Sequence, residues 1–147
     1  MTASTPATSG RPLLLVGVLA TGAGGALGAV TRWSLTSAFP VDGEHFPWTT
    51  LLINVVGSAL LAGLPLVGAI RRRPWLALLL GTGVLGGFTT MSAASTETFA
   101  LLDHGHVGLG LAYCLGTLAA SVLAVQAVDR RTTIAQRTKV AGLGADL

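Results

Sequence analysis

Four long apolar runs, separated by short charged or proline-containing stretches, constrain this chain more than any other feature. They cover about residues 12–31, 48–70, 75–102 and 107–128. About 20 helical residues, rising 1.5 Å each, cross a hydrocarbon core of ~30 Å. At that depth every backbone N–H and C=O must be satisfied internally, so apolar runs of this length must be helices. Only 10% of the residues are charged, against about 25% in a soluble domain. The expected fold is an all-α membrane protein with four transmembrane helices in one domain. Residues 1–11, rich in Ser, Thr, Ala and Pro, read as a disordered N-terminus. Residues 12–128 read as the four-helix domain, and 129–147 as a charged, soluble or frayed tail. The excess of basic residues does not point to nucleic acid, because the Lys and Arg sit in short clusters between the apolar runs. Arg11 before an apolar run mimics a signal peptide, but the polar end of that run and the three runs that follow argue against cleavage. With Cys114 as its single cysteine, the chain has no intrachain disulfide and no cysteine-rich metal site.

The third run carries features that a lipid-facing helix avoids. Gly86-Gly87 permits a break, since glycine tolerates strained backbone. A polar series follows, Thr89, Thr90, Ser92, Ser95 and Thr96, and then Glu97, an ionisable group that is costly at membrane depth. This run is long for one crossing, which fits a helix broken near Gly86-Gly87. Irregular backbone at this depth survives only when it is buried in protein or lines a polar path. The segment Gly81-Thr82-Gly83-Val84-Leu85-Gly86 matches the G-x-G-x-x-G dinucleotide pattern, but no strand precedes it and no βαβ unit surrounds it.

Polar residues recur elsewhere in the spans. Arg32 ends the first run, either as an interfacial snorkelling residue or as an anchor or anion attractor at a vestibule. Gly24 and Gly28, four residues apart, let another backbone approach closely. Asn54 in the second run needs a partner, either as glue between helices or on a polar path, and Thr50 shares its helical face. Tyr113, Thr117 and Ser121 recur every four residues and form one hydroxyl row along the fourth helix. His104 and His106 lie in a tight turn and read as solvated. Four spans put Arg11, Arg71, Arg72, Arg73, Arg130, Arg131, Arg137 and Lys139 on one side, and Arg32 alone on the other. The positive-inside rule then places both termini in the cytoplasm.

Three segments carry a family resemblance. GGALGAVTRW (24–33), TTLLINVVGSALLAG (49–63) and GGFTTMSAASTE (86–97) resemble the CrcB/Fluc fluoride channels, in order and across all four spans. The resemblance implies a small plasma-membrane channel that exports fluoride passively and lowers its level in the cytoplasm. It implies an antiparallel dimer of four-helix subunits with a central sodium ion. The ion would be held by backbone carbonyls, here those of Gly86 and Thr89. The fluoride pathway would include Asn54, Thr50, Phe88, Met91, Ser92, Ala94, Ser95, Glu97, Tyr113, Thr117 and Ser121, with Arg32 at the vestibule.

Two departures qualify the resemblance. The family pattern reads GGFTTFSTFS. Here Phe88 is kept, but Met91 and Ala94 replace the two pore phenylalanines, and Ala93 stands where the pattern has threonine. Neither Met91 nor Ala94 offers an aromatic edge to an anion. The eight-to-one charge bias also fixes one orientation, whereas an antiparallel homodimer needs both. One explanation covers both departures: a heterodimer with a homologue of opposite topology, although a homodimer stays open. Fluoride holds its water tightly, so the path must supply donors, and the amide of Asn54 with the hydroxyls of Thr117 and Ser121 can do so. No nucleophile–base pair appears, so no enzyme is expected. Two other readings are a non-conducting structural partner subunit and a small proton-coupled multidrug exporter. The exporter needs a carboxylate deep in a helix, and Glu97 lies near the end of the third run.

Overall fold

The computed structural model describes the backbone of residues 11–145 and the side chains of residues 14–132. The disordered segment expected before Arg11 lies outside the described residues. Helix α1 is Arg11–Ala38 and α2 is Trp48–Gly63. After a 3₁₀ turn, Leu64–Leu66, come short helices α3, Gly68–Arg71, and α4, Pro74–Ala77. A π-helical stretch, Leu78–Leu85, leads into a last helical turn, α5, Gly86–Phe88. Helix α6 is Met91–Asp103 and α7 is Val107–Ala145. Four segments are long and apolar enough to cross a membrane, Leu14–Ala38, Trp48–Leu66, Pro74–Asp103 and Val107–Thr132.

The boundaries differ from the expected ones for local reasons. Helix α1 does not stop near Thr31. Thr31, Ser34 and Thr36 return their hydroxyls to the carbonyls of Leu27, Val30 and Arg32 at 2.8–3.1 Å, so these polar residues stay helical. The expected loop from residue 34 to 47 therefore shrinks to residues 39–47. Its turn uses Gly43 at φ 79°, and Gly105 at φ 81° makes the α6–α7 turn. The second crossing ends before Ile70, because Pro65 cannot continue the hydrogen-bond ladder and Val67 is extended at φ −82°, ψ 108°. At the far end no change occurs at Asp129: α7 continues as helix to Ala145, over the stretch read from the sequence as a soluble or frayed tail.

The third span is broken just past the glycine pair. Gly86 itself is helical at φ −66°, ψ −35°, whereas Thr89 (φ −74°, ψ 152°) and Thr90 (φ −150°, ψ 120°) are extended. The glycines serve proximity instead. A Cβ at Gly87 would overlap the carbonyl of Gly25 on α1, and Cβ atoms at Gly24 and Gly28 would overlap the carbonyls of Leu79 and Val84. The first half of span 3 is thus packed backbone to backbone against α1. Its second half, α6, packs against α7, as does α2. Tyr113, Leu101 and Ala94 form a buried cluster there, with Phe46, Leu51 and Leu109 against it. Most large apolar side chains point outward, among them Leu14, Leu27, Leu52, Phe99 and Leu115, as lipid-facing surfaces do.

Candidate functional site

The site grows from the break. An interrupted helix strands carbonyls whose usual donors sit four residues on. At this break those donors are diverted. The Thr90 N–H, which a continuous helix would give to Gly86 O, goes to Asn54 Oδ1 at 2.8 Å. The Ala93 N–H, the helical donor for Thr89 O, goes to Thr90 Oγ1 at 3.1 Å, so Thr90 caps α6. Asn54 also donates its amide to Thr90 O at 2.9 Å. Its side chain therefore grips both sides of one extended residue, and one amide N–H is left over. Arg32 Nε–H donates to Gly87 O at 3.2 Å. Arg32 thus reaches the break from α1, where the sequence offered snorkelling or a vestibule. The carbonyls of Gly86 and Thr89, whose helical donors are engaged elsewhere, are neutral hard oxygens. That chemistry suits a hard cation.

A half-buried carboxyl network lies beside the break. Thr50 Oγ1 donates to Glu97 Oε1 at 2.6 Å, and Tyr113 Oη donates to Glu97 Oε2 at 2.5 Å. Thr50 and Tyr113 have no exposed surface, and Tyr113 meets Phe46 edge-on at a ring distance of 5.4 Å. Glu97 thus holds three helices together, α2, α6 and α7. Thr50 and Asn54 use their shared face of α2 to bind successive parts of span 3.

Next to this network is an open cavity of about 400 Å³ between the break, α6, α2 and α7. Asn54, Met91, Ala94, Ser95, Thr117 and Ser121, all singled out from the sequence, line it. The Thr117 and Ser121 hydroxyls are buried and have no hydrogen-bond partner in the protein. An unpaired buried hydroxyl costs about 1–3 kcal/mol, so these two are poised to receive a polar guest. Ser95 bonds the carbonyl of Met91 at 2.9 Å. Ala94 is buried, whereas Met91 is 65% exposed.

Other expected members lie elsewhere. Phe88 lines a separate apolar cavity with Leu52, Ile53 and Val56. Ser92 is exposed and sits 3.2 Å from Thr90 Oγ1. Thr50, Glu97 and Tyr113 form the adjoining network rather than the cavity wall, so the α7 row is split between two environments. Sequence reasoning missed Thr90 as the clamped residue, although a threonine opening a helical segment is a cap signal. A Cβ at Gly57 would overlap Thr89 Cγ2, so this glycine of α2 makes room for the break. Cys114 also lines the cavity, with no signal in its spacing.

Comparisons with known proteins agree with this architecture. The family described as "CrcB-like protein, Camphor Resistance (CrcB)" matches residues 19–128. A protein of Rhizobium meliloti named "Fluoride-specific ion channel FluC" is 44% identical over 115 residues, covering 74% of this chain and 89% of the relative. "Fluoride-specific ion channel FluC 1" of Mycobacterium bovis is 39% identical over 126 residues, covering 80% and 89%. A Thermus thermophilus "Fluoride-specific ion channel FluC" is 46% identical over 99 residues, covering 65% and 78%. The match spans all four crossings, including the break and the cavity walls, and on that ground the chain belongs to the CrcB family.

Proposed function

We propose that this chain is a subunit of a fluoride-specific channel that lets the anion leave the cell down its gradient. The observation that carries this reading is the pair of buried, unpartnered hydroxyls of Thr117 and Ser121, two residues that line the same cavity as Asn54, whose amide has an N–H to spare. A dehydrated fluoride needs donors, and these are donors without protein acceptors. The relatives named as fluoride channels support the choice of anion. Glu97, held by Thr50 and Tyr113, fixes the α2–α6–α7 geometry beside that row. It does not itself solvate the anion, because a carboxylate only accepts.

The subunit works in an antiparallel dimer, with both its own termini in the cytoplasm, in the plasma membrane. Sodium bound by the carbonyls of Gly86 and Thr89 would supply a fixed positive charge at the dimer centre. Asn54, Thr90 and Arg32 prepare that place by occupying the neighbouring hydrogen-bond groups. The charge bias of the sequence and the residues Met91 and Ala94 favour a partner of opposite topology that retains its phenylalanines. The same two residues support a second reading, in which this chain only completes the dimer and the partner's pore conducts.

Fluoride efflux from proteoliposomes separates these readings. The co-expressed pair should release fluoride and exclude chloride, and the pure chain should release little. Fluoride-selective efflux by the pure chain would defeat the heterodimer. In the pair, efflux indifferent to Thr117→Val would assign conduction to the partner alone.

A further inference from the structure

A second open cavity, of about 380 Å³, lies where the end of the second crossing meets the third and the fourth. Its walls include Leu60, Leu64 and Val67, then Leu80 and Val84 of the π-helical stretch, and Val128 of α7; every residue that lines it is apolar. Leu60 is 53% and Val67 49% exposed. Two basic clusters start from these walls. The Arg71 N–H bonds Val67 O at 3.2 Å, which sets Arg71 one turn beyond Val67. Arg131 stands three residues past Val128, on the same face of α7. Arg71, Arg72, Arg73, Arg130 and Arg131 are all exposed. Asp129 is their one acidic neighbour in sequence. Among the described residues none of the five pairs with a carboxylate, the salt bridge there being that of His45 with Asp42. Trp75, 43% exposed, follows the arginine turn, and tryptophan beside arginine marks the headgroup level of a bilayer. Unpaired cations next to an open apolar cavity at that depth complement an anionic headgroup that carries an acyl chain.

We propose that this part of the subunit binds one anionic phospholipid, with its phosphate among the arginines of the turn and of α7 and an acyl chain in the apolar cavity. The lipid ties the turn between the second and third crossings to the end of the fourth. A zwitterionic lipid brings the chain without the net charge, and a soluble phosphate ester brings the charge without the chain. Each satisfies half of the site. The site is separate from the hydroxyl row and does not rest on which ion the chain conducts.

The experiment titrates the purified full chain in detergent with phosphatidylglycerol and counts bound lipid by native mass spectrometry. One phosphatidylglycerol per chain is expected, with phosphatidylcholine held at least about tenfold more weakly. Arg71→Gln combined with Arg131→Gln should weaken phosphatidylglycerol about thirtyfold, the effect of two basic side chains near an anionic lipid, and leave phosphatidylcholine unchanged. Equal binding of the two lipids, or indifference to the arginine pair, would overturn headgroup recognition. Glycerol 3-phosphate should not displace the lipid; full displacement would reduce the site to an anion site without a chain. That arm tests the chain without any substitution. Gly63 also lines the cavity, with a helical backbone (φ −80°, ψ −19°) and open space around a Cβ. Gly63→Leu should therefore fold, occupy the cavity and weaken both lipids. A Gly63→Leu chain that melts like the wild type and holds phosphatidylglycerol unchanged would overturn the seat of the acyl chain. No bound lipid, with a dimer that Gly63→Leu dissociates, would give the cavity to a second copy of the chain and overturn the proposal.

Discussion

Tyr113 and Thr117 lie one helical turn apart on the same face of α7, yet their hydroxyls have opposite fates. Tyr113 is wholly buried and its hydroxyl is spent on Glu97. The Thr117 hydroxyl, like that of Ser121 beyond it, is buried without a hydrogen-bond partner in the protein. A satisfied buried network fixes geometry, whereas an unsatisfied hydroxyl is retained at a cost of about 1–3 kcal/mol. One polar row thus contains a structural end and an end kept open for a guest. Spacing alone cannot tell them apart.

The largest expected effect tests the residue that serves both ends. Asn54→Ala removes two buried hydrogen bonds to Thr90 and a donor from the cavity. Leaving Thr90 unpaired costs about 1–3 kcal/mol per group. Fluoride efflux should fall at least about tenfold, and the thermal midpoint in detergent should drop as well. Unchanged efflux would reduce Asn54 to glue between helices. Asn54→Asp should also impair efflux, since it loses the donor to Thr90 O and adds a charge that repels the anion.

The next pair of substitutions separates the two ends directly. Tyr113→Phe strips a donor from the half-buried Glu97 carboxyl and should destabilise the protein by about 1–3 kcal/mol. Thr117→Val removes a hydroxyl that bonds nothing in the protein, at nearly constant volume. It should leave the melting temperature unchanged or higher while lowering fluoride efflux. Equal loss of stability in both variants would erase the distinction between the ends. A weaker effect concerns close packing on the other side of the break. Gly28→Ala drives a methyl group into the carbonyl of Val84, and overpacking of this kind costs about 1–3 kcal/mol. It should lower the melting temperature with no direct effect on the hydroxyl row.

The smallest effect lies outside the membrane, in the α1–α2 loop. His45 Nδ1 sits 2.8 Å from Asp42 Oδ2, and both residues are exposed. The hydrogen bond to His45 draws the Asp42 carboxyl down from 3.8 to about 2. The same bond raises the His45 imidazole above its ordinary 6.5. The Asp42 contribution is present above pH 3.8 and fades as the pH falls toward 2. The His45 contribution is complete below pH 6.5 and fades as the pH rises through the elevated value. Loop mobility followed by NMR should increase at both extremes, and Asp42→Asn should abolish both limbs. Efflux should be indifferent to this substitution, since the pair lies far from the hydroxyl row in the chain and lines none of its cavity.

The four crossings were legible because hydropathy and length are local properties, and so was the presence of a break in the third. It lies two to three residues past the glycine pair near which the sequence placed it. Glycine freedom suggested Gly86-Gly87, but the chain turns at Thr89 and Thr90, where the Asn54 and Arg32 side chains from α2 and α1 take the place of helical partners. Those replacements are tertiary, and no window of sequence displays them. Asn54 and Arg32 were visible as costly residues in apolar surroundings; their shared target was not. The helical continuation past Asp129 was missed because charge ended the apolar run, although charge does not end a helix.

The hydrogen bonds at the break also imply an order of assembly. Span 3 alone would have to leave carbonyls unpaired in hydrocarbon to adopt its final shape, so in isolation it is better off as one unbroken helix. Arg32 and Asn54, which compensate the opening, belong to the first and second crossings. Both crossings precede the third in sequence and are available in the bilayer when it arrives. The third crossing therefore enters as a plain helix and opens only on meeting the first two, which makes the opening a late event of maturation. A fusion that separated the first two crossings from the third would produce an inserted, stable and featureless helix in place of the site.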